Sequence, residues 1–271
     1  MIFYFHSKIA DFSTNHMVLD TIGLRVGDYM TLNPISVDEE TKLADSINIM
    51  AKKNIGNMVI ERDGKPSTIL TEREILSYVV KEGKIPDIQI KDVPTKRFVM
   101  VSPKELVINV AKTMLEKKKR VLVFDDNKLT GIITVSDMLR GLRTTGGNPG
   151  LDKVIRKNVH SCVYHDSIFK AAKIMYGKKI GSVLISKGDT HQGIFTERDM
   201  LTRVLTKEAD LQDRIEKYST SPLVTARYGI RGNDAAEIMS INKIKRLPLS
   251  DKKGIVGIVT ARDIVDAFRS P

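Results

Sequence analysis

The feature that most constrains this 271-residue chain is a short phrase that occurs four times: an apolar run, a threonine, two variable positions and an acid. The threonines are Thr71, Thr134, Thr196 and Thr260, separated by 63, 62 and 64 residues. A methionine in a helix-like stretch recurs in the same phase, at Met50, Met114, Met175 and Met239. Two markers in one phase establish a fourfold repeat, so the fold must be built from four copies of a small unit.

Each unit predicts the order strand, helix, strand, strand, helix. In the first unit, residues 35–37 form a short extended segment, and residues 41–52 place apolar side chains at helical spacing. Two further strands meet at the Asp63-Gly64 turn, and Thr71 begins a second helix. A short sheet with helices on one side leaves an apolar sheet face uncovered, so we expect the first repeat to pair with the second and the third with the fourth.

The repeat phase predicts the domain boundaries. We expect an N-terminal arm at residues 1–20 and repeats at 21–82, 83–143, 151–207 and 208–271. Residues 144–150 are rich in glycine and include proline, which is typical of a flexible linker and would permit a hinge between two modules. The fold class is therefore α+β, with four β-α-β-β-α repeats paired into two pseudo-two-fold modules. Periodicity leaves open whether the modules stack within one chain or between two.

The charge favours an anionic partner. The formal net charge is +11 and the isoelectric point is near 9.6, so nucleotide phosphates, nucleic acid or an acidic protein are all candidates. The one dense basic run, residues 117–120, is either a solvated helix end or a polyanion-binding patch. Aromatic residues make up only 6% of the chain, which disfavours stacking recognition of single strands. A basic nucleic-acid-binding protein remains the alternative function.

Several functional classes find no support. The apolar runs are strand-sized, so no membrane helix is expected. Cys162 is the only cysteine, which excludes an intrachain disulfide and favours a reducing, cytoplasmic location; we interpret it as a small buried hydrophobe. Walker, His-Glu-x-x-His, Cys-x-x-Cys and Gly-x-Ser-x-Gly motifs are missing from the sequence. We therefore expect a protein that is not an enzyme, with no catalytic or metal-binding residues.

The repeated phrase has two interpretations. Threonine before an amphipathic helix is a good N-cap, and an acid three residues later completes a capping box, which Thr71 and Glu74 fit best. The same helix N-terminus presents free amides that suit a phosphate, while the hydroxyl and carboxylate can hold a ribose diol. The residue before the acid is basic in three repeats and could then meet a phosphate: Arg73, Arg198 and Arg262, with Ser136 in the second repeat.

Four such signatures in phase, together with the lead-in at residues 30–37, resemble the CBS domains, which occur in pairs called Bateman modules. The resemblance covers residues 26–268 and extends to the gamma subunit of AMP-activated protein kinase and to stand-alone prokaryotic CBS proteins. It implies a regulatory protein that binds AMP, ADP, ATP or a related adenosyl ligand such as S-adenosylmethionine in clefts between paired repeats. It also implies an effector protein on a separate chain, a homodimer, and no catalytic cofactor.

The resemblance carries site roles onto particular positions: the threonine and the acid hold the ribose and phosphate, and the first strand and the start of the second strand wrap the adenine. In the third repeat these positions are His160, Ser161, Lys179, Ile180, Gly181, Ser182, Thr196, Arg198 and Asp199. In the fourth they are Val224, Thr225, Lys243, Ile244, Lys245, Arg246, Thr260, Arg262 and Asp263.

The first two repeats supply weaker candidates. These are Ile35, Ser36, Ile55, Gly56, Thr71, Arg73 and Glu74 in the first repeat and Thr134, Ser136 and Asp137 in the second. Glu74 is one methylene longer than the aspartate of the other repeats. Counting from the methionines places Lys119 where the other repeats have isoleucine, and Met100 replaces a hydroxyl on the first strand. We therefore rank repeats three and four first, one next and two last.

Overall fold

The repeats form four small α/β units in the order expected from the sequence. The computed structural model describes residues 23–117 and 119–269, so the arm expected at 1–20 lies outside the described residues. The first repeat consists of α1 (Val26–Tyr29), β1 (Thr31–Leu32), β2 (Ser36–Asp38), α2 (Leu43–Lys52), β3 (Asn57–Arg62), β4 (Lys65–Thr71) and α3 (Glu72–Glu82). The second consists of β5 (Phe98–Val101), α4 (Val107–Lys117), β6 (Arg120–Asp125), β7 (Lys128–Ile133) and α5 (Val135–Leu142).

The second half of the chain repeats this order. The third repeat consists of β8 (Ser161–Val163), α6 (Ile168–Gly177), β9 (Ser182–Lys187), β10 (Thr190–Thr196) and α7 (Glu197–Asp199), which continues as a wider π-type turn over Met200–Val204. The fourth consists of β11 (Ala226–Arg227), α8 (Gly232–Ile241), β12 (Arg246–Asp251), β13 (Gly254–Thr260) and α9 (Ala261–Arg269). The predicted order of elements is confirmed.

The recurrent methionine is a core residue in every repeat. Met50 and Met175 are fully buried, and Met114 and Met239 are 2% exposed. Each lies on the apolar face of the helix between the first and second strands, where it packs under its own sheet. Burying such a side chain contributes about 1.5–3 kcal/mol, which explains why the apolar residue recurs with the period of the fold.

Strand register places the repeated threonine opposite the first residue of the preceding strand. The paired residues are Asn57 and Thr71, Ser182 and Thr196, and Arg246 and Thr260. In the second repeat Val121 pairs with Ile133, so Arg120 takes the place of Asn57. Counting from the methionines had aligned Arg120 with Gly56. That alignment is wrong because Met114 lies six residues before the first residue of β6, whereas the methionine lies seven residues before the equivalent strand in the other repeats.

The lead-in segment of each repeat, which precedes its first strand, pairs with a strand of the sister repeat, and the two sisters do this reciprocally. The lead-in strand β1 of the first repeat pairs with β7 of the second, and the lead-in residue Lys96 of the second bridges Ile69 of the first. The second module repeats the exchange, with Arg156 bridging Ile258 and Thr220 bridging Ile194. Each lead-in therefore lies beside the sister strand that ends in the repeated threonine, and the sequence-based pairing of repeats one with two and three with four is confirmed.

The sheet faces of sister repeats also meet. Val59 and Ile69 of the first repeat form one buried cluster with Leu122 and Ile132 of the second. In the first module this contact covers the apolar sheet face that each repeat leaves open on its own, as the sequence predicts.

The glycine that begins the repeated phrase makes room for the exchanged lead-in. A Cβ atom on Gly193 would lie 2.9 Å from the Thr220 carbonyl oxygen, and one on Gly257 would lie 2.5 Å from Ile155 Cγ2. At the equivalent place in the first repeat, Thr68 instead accepts a 2.8 Å hydrogen bond from Thr95 Oγ1 of the incoming lead-in. Close packing therefore requires the glycine in the third and fourth repeats, whereas the first repeat accommodates a threonine.

The two modules stack within one chain through their helices. Leu76 and Val79 of α3 pack in one buried cluster with Ala172 and Met175 of α6, which joins repeats one and three. In the same way α5 packs against α9 and joins repeats two and four. These contacts show that the two modules can stack within one chain, an alternative that the periodicity left open.

The segment at residues 144–150 is anchored to the fourth repeat. Arg231 Nε donates a 2.7 Å hydrogen bond to the Asn148 carbonyl, and the Gly232 amide donates a 2.8 Å bond to the Pro149 carbonyl. Gly147 packs against Phe268. The expectation of a flexible linker and hinge is wrong here, because Asn148 and Pro149 are hydrogen-bonded to the fourth repeat and Gly147 packs against Phe268.

Candidate ligand cavity

A cavity of about 990 Å³ lies where the four repeats meet, and all four contribute to its lining. Ten lysine or arginine side chains and three glutamates line it. Walls of one charge around a concave space attract counter-ions. Much of the chain's excess positive charge therefore lines a concave space that suits an anion.

The exchanged lead-ins make this cavity composite. In the second module, one wall comes from the third repeat, with Val159, His160, Ile180, Gly181 and Ser182. The facing wall comes from the fourth repeat, with Ile258, Thr260, Ala261 and Arg262. The sequence grouped each threonine motif with the wall of its own repeat, whereas the third-repeat lead-in brings its wall beside the fourth-repeat motif.

The first module is arranged in the same way. Gly56 and Asn57 of the first repeat line the cavity with Thr134 and Ser136 of the second, and the first repeat's Thr71 and Glu74 line it with Lys119. Lys179, Lys245, Arg246 and Arg73 also belong to the lining. The remaining candidates are not part of it: Ile35, Ser36, Ile55, Asp137, Ser161, Thr196, Arg198, Asp199, Val224, Thr225, Lys243, Ile244 and Asp263.

The three aspartates of the repeated phrase cap their helices. Oδ2 of Asp263 accepts bonds from the Thr260 amide at 2.8 Å and from Thr260 Oγ1 at 2.7 Å. Asp137 and Asp199 accept the same two bonds from Thr134 and Thr196, at 2.6–2.9 Å. The capping interpretation is confirmed for these three repeats.

The first repeat departs from this pattern. Thr71 Oγ1 donates to Glu74 Oε2, but the Thr71 amide makes no bond to that carboxylate. Thr71 Oγ1 accepts instead from the Arg73 amide, at 3.3 Å. The expectation that Thr71 and Glu74 would form the best capping box is wrong, because the longer side chain does not turn back to the cap amide.

The second oxygen of each acid faces a basic side chain. Asp263 Oδ1 lies 2.9 Å from an Arg156 guanidinium nitrogen, and Asp137 Oδ1 lies 3.2 Å from Arg140. Asp199 Oδ1 lies 3.4 Å from Arg203 Nε and accepts a 3.3 Å bond from Thr220 Oγ1, while Lys96 lies 3.6 Å from Glu74. Burial raises the pKa of Asp199, and the hydrogen bonds from Thr196 oppose that rise. Each acid therefore already has a cationic partner.

Two of the arginines proposed as phosphate ligands form ion pairs between the modules. Arg73 Nε lies 2.6 Å from Glu197 Oε1, and Arg198 pairs in the reverse sense with Glu72. Arg198 also donates a 2.8 Å bond to the Asn54 carbonyl. The expectation of a phosphate role for Arg73 and Arg198 is therefore not supported by their contacts, because each is held by an acid of the opposite module.

Glu197 is the most buried member of this cluster. Its Oε2 accepts a 3.4 Å bond from Arg246, whose guanidinium lies against Gly181, where a Cβ atom would be only 1.8 Å away. Its Oε1 has no well-aligned hydrogen bond among the described residues, although Arg73 is close. Burial raises the pKa of the Glu197 carboxyl, and the charges of Arg246 and Arg73 oppose that rise.

Six cations in the cavity form no ion pair with a described acid: Arg97, Lys119, Arg120, Lys179, Lys245 and Arg262. Arg120 Nε instead donates a 2.6 Å bond to Asn57 Oδ1. Burial lowers the pKa of Lys245 even though the side chain is accessible through the cavity. Burial also lowers the pKa of Arg262, and the neighbouring charge of Arg120 adds to that effect. An anion bound here would relieve the repulsion between these cations.

Several residues of this cavity were missed by the sequence analysis. Lys96, Arg97, Arg156 and Asn158 all lie in the lead-ins that precede a first strand. A possible signal was the basic pair that recurs at that place, Lys96-Arg97 and Arg156-Lys157. Its meaning depends on the exchange between sister repeats, which no local pattern reveals.

Other chemistry is limited in the described part of the chain. No group of three or more potential metal ligands occurs among residues 23–117 and 119–269. Nor does any described helix combine the length and the hydropathy needed to cross a bilayer.

Cys162 is buried, and burial raises its pKa to about 11, so the thiol stays protonated and the side chain acts as a small hydrophobe, as expected.

The repeat boundaries and the site geometry can be compared with known families. The profile of the CBS domain matches residues 26–81, 90–144, 151–206 and 215–270. The chain belongs to the CBS-domain family. Its four CBS domains coincide with the four structural repeats, and the resemblance drawn from the repeated phrase is confirmed.

Relatives of this CBS protein are distant in sequence. It is 27% identical to protein MJ1225 of Methanocaldococcus jannaschii over 203 residues, which is 67% of this chain and 71% of that protein. It is 23% identical to a 33.4 kDa protein of Thermofilum pendens over 65% of this chain and 63% of the relative. The match to the Arabidopsis thaliana CBS protein CBSCBSPB2 is also 23% identical and spans 48% of that protein. The chain thus spans about half to seven-tenths of these relatives.

Two solved structures share the whole architecture. That of MJ1225, described as a proposed archaeal homologue of g-AMPK, superposes with a TM-score of 0.76 at 19% identity, over 90% of this chain and 100% of the other. A protein from Pyrococcus horikoshii superposes with a TM-score of 0.62 at 18% identity and the same coverage. At these identities the likeness shows the fold, which is a four-repeat CBS arrangement.

Proposed function

We propose that this CBS protein is a non-enzymatic sensor that binds an adenosine-containing ligand in the cleft between its third and fourth repeats. One observation carries the proposal: the Ile180-Gly181-Ser182 wall of the third repeat and Thr260 to Arg262 of the fourth line the same basic cavity. The apolar wall suits a purine face. The motif opposite contributes Thr260 to the lining, and Asp263, which is held by Thr260 and Arg156, is the proposed partner of a ribose diol.

The electrostatics favour a ligand with phosphate groups. Arg262, Lys245 and Arg120 line the cavity and form no ion pair with a described acid. Phosphate oxygens are strong acceptors for such donors. AMP, ADP and ATP are therefore the proposed ligand class, with no catalytic cofactor.

The composite geometry changes the ranking of the four clefts. The walls that contain glycine belong to repeats one and three, and they face the motifs of repeats two and four. The walls of repeats two and four instead carry Lys119-Arg120 and Lys245-Arg246. We propose that the cleft with Asp263 binds most tightly and the cleft with Asp137 next. The clefts with Asp199 and Glu74 come last, because their arginines are engaged in ion pairs between modules.

Ligand occupancy can change how the modules fit together. The cavity is bounded by both modules, and the ion pairs of Glu72 and Glu197 cross between them. A phosphate that recruits Arg246 would compete with Glu197 for that side chain. Since a ligand shifts an equilibrium only through different affinity for two states, this competition is the proposed source of the signal to an effector protein.

Mass spectrometry of small molecules released by denaturing the purified protein tests the proposal directly. We expect an adenine nucleotide, and isothermal titration of AMP, ADP and ATP into stripped protein should then give saturable binding. A protein that carries and binds no adenine ligand would overturn the proposal. The homodimer and the cytoplasmic location remain predictions, to be checked by light scattering after size exclusion and by cell fractionation.

The fold does not support the alternative function, which is nucleic-acid binding. Of the basic run at residues 117–120, Lys119 and Arg120 line the internal cavity. Arg120 is also bonded to Asn57. These two side chains therefore contribute to the ligand cavity, which leaves no continuous basic patch of described residues at this run.

A further inference from the structure

The cleft between repeats three and four contains an arginine in an unusual position. Asp263, which the proposed function assigns to the ribose, does not line the cavity, whereas Arg156 does. A guanidinium nitrogen of Arg156 lies 2.9 Å from Asp263 Oδ1, while Thr260 occupies Oδ2. Arg156 therefore lies between the carboxylate and the space that a ligand would fill.

The arginine is supplied by the sister repeat on a fixed backbone. The Arg156 amide donates a 3.1 Å bond to the Ile258 carbonyl, and the Ile258 amide returns a 3.0 Å bond. Gly257 allows Ile155 to pack directly against this strand. The Arg156 side chain is nonetheless 51% exposed, so its backbone is held while its guanidinium can turn.

Asp137 and Asp199 pair with arginines from their own repeats instead. Arg140 and Arg203 lie three and four residues after Asp137 and Asp199, on the same helical segments as those acids. Neither of these arginines lines the cavity. Among the described residues, Asp263 is thus the aspartate that pairs with an arginine from its sister repeat inside the cavity.

Moving Arg156 away from Asp263 has an electrostatic consequence. Arg262 and Arg120 share the cavity, and the charge of Arg156 already adds to the unfavourable environment of Arg262. A guanidinium that leaves Asp263 would face these two cations without a counter-ion. A ligand that takes Asp263 Oδ1 for its ribose diol must therefore bring negative charge within reach of Arg156.

We propose that Arg156 is a positioning residue that makes this cleft selective for nucleoside phosphates over uncharged nucleosides and cationic sulfonium nucleosides. The inference rests on the proposed function. In the free protein Arg156 occupies Asp263; in the complex the ribose takes that oxygen and Arg156 turns to the phosphate. A nucleoside without phosphate must break the ion pair between Arg156 and Asp263 and supplies no negative charge to replace it.

Titration calorimetry with AMP, adenosine and S-adenosylmethionine tests this selectivity. Every protein carries Asp137→Asn, so that the first-module cleft contributes little heat. We expect the parent to prefer AMP over adenosine by at least about tenfold, the size of one charge-assisted hydrogen bond. Arg156→Ala should weaken AMP binding and strengthen adenosine binding, so that the preference falls to about threefold or less. Arg156→Lys should retain most of the preference, because it keeps the charge.

Arg203→Ala is the matched control. It removes an arginine from an aspartate of the same module without opening the proposed cleft, and it should leave the ratio of AMP to adenosine affinity unchanged. Circular dichroism melts confirm that each variant is folded. A merely structural role for Arg156 predicts equal losses for AMP and adenosine, and that outcome would overturn the inference while leaving the proposed function intact. Binding of none of the three ligands to the parent would instead reject the proposed function.

Discussion

Arg73 Nε lies 2.6 Å from Glu197 Oε1, although the two residues belong to different modules. Arg198 and Glu72 repeat the contact in the reverse sense. Both pairs come from the same three-residue stretch, Thr-Glu-Arg, which occurs only in repeats one and three. The two free positions of the repeated phrase thus determine how the modules meet, while its threonine and acid cap a helix.

The two sides of this ion pair should respond unequally to mutation. The Glu197 side chain is 10% exposed and that of Arg73 is 32% exposed. Arg73→Gln leaves a buried carboxylate with fewer partners, so we expect a loss of about 1–3 kcal/mol, below the range for a fully buried pair because Arg73 reaches solvent. Glu197→Gln leaves arginines that can reach water, so we expect a change below about 1 kcal/mol. Urea unfolding at pH 8 measures both.

Glu237→Gln provides the background for these measurements, because Glu237 is exposed on α8 and forms no ion pair with another described residue. It should change stability by no more than about 0.5 kcal/mol. A greater loss for Glu197→Gln than for Arg73→Gln would contradict the unequal burial on which the prediction depends.

The buried carboxyl of Glu197 predicts how the stability of the protein changes with pH. Burial raises the folded-state pKa of Glu197 above its ordinary value of 4.5, so between those two values the folded protein binds more protons than the unfolded chain. Stability must then fall as the pH rises from about 4.5 through the raised pKa. Asp199, whose pKa burial also raises, acts in the same direction. Thermal melts across this range should show a shallower decline for Glu197→Gln than for the parent.

The composite clefts predict an order of ligand affinities among aspartate variants. Asp263→Ala should weaken nucleotide binding most, by roughly 1.5–3 kcal/mol if a charged hydrogen bond to the ribose is lost. Asp137→Ala should have the next largest effect and Asp199→Ala the smallest, since neither Thr196 nor Arg198 lines the cavity. Calorimetry on folded variants measures this order. A larger loss at Asp199 than at Asp263 would contradict the proposed order of the clefts.

The fold was largely predictable because its determinants are periodic. The buried methionines and the repeated threonines recur with the fold, so the sequence showed the repeats, their strand order and their pairing. The pairing of repeat one with three and of two with four could not be predicted. It depends on the matching of helix faces far apart in sequence, such as Leu76 with Met175.

The candidate site was predictable in its residue types but not in its arrangement. The sequence identified Gly181 and Thr260 separately, and both line the cavity. It grouped them with different repeats, because a sequence pattern cannot show that Arg156 pairs with Ile258 and so brings the third-repeat wall beside the fourth-repeat motif. Arg198 looked free for a phosphate because its partner, Glu72, lies 126 residues away.

The crossing of the lead-ins also predicts which glycines are essential. A Cβ atom on Gly193 would lie 2.9 Å from the Thr220 backbone carbonyl, which a side-chain rotation cannot relieve. Gly193→Ala should therefore destabilise the protein by about 1–3 kcal/mol, as overpacking does elsewhere. Gly177→Ala is the matched control, because this residue ends α6 with nothing within 4 Å of its added Cβ atom. It should be neutral or stabilise the helix by up to about 1 kcal/mol. Urea unfolding compares the two, and equal stability would show that the lead-in can shift without cost.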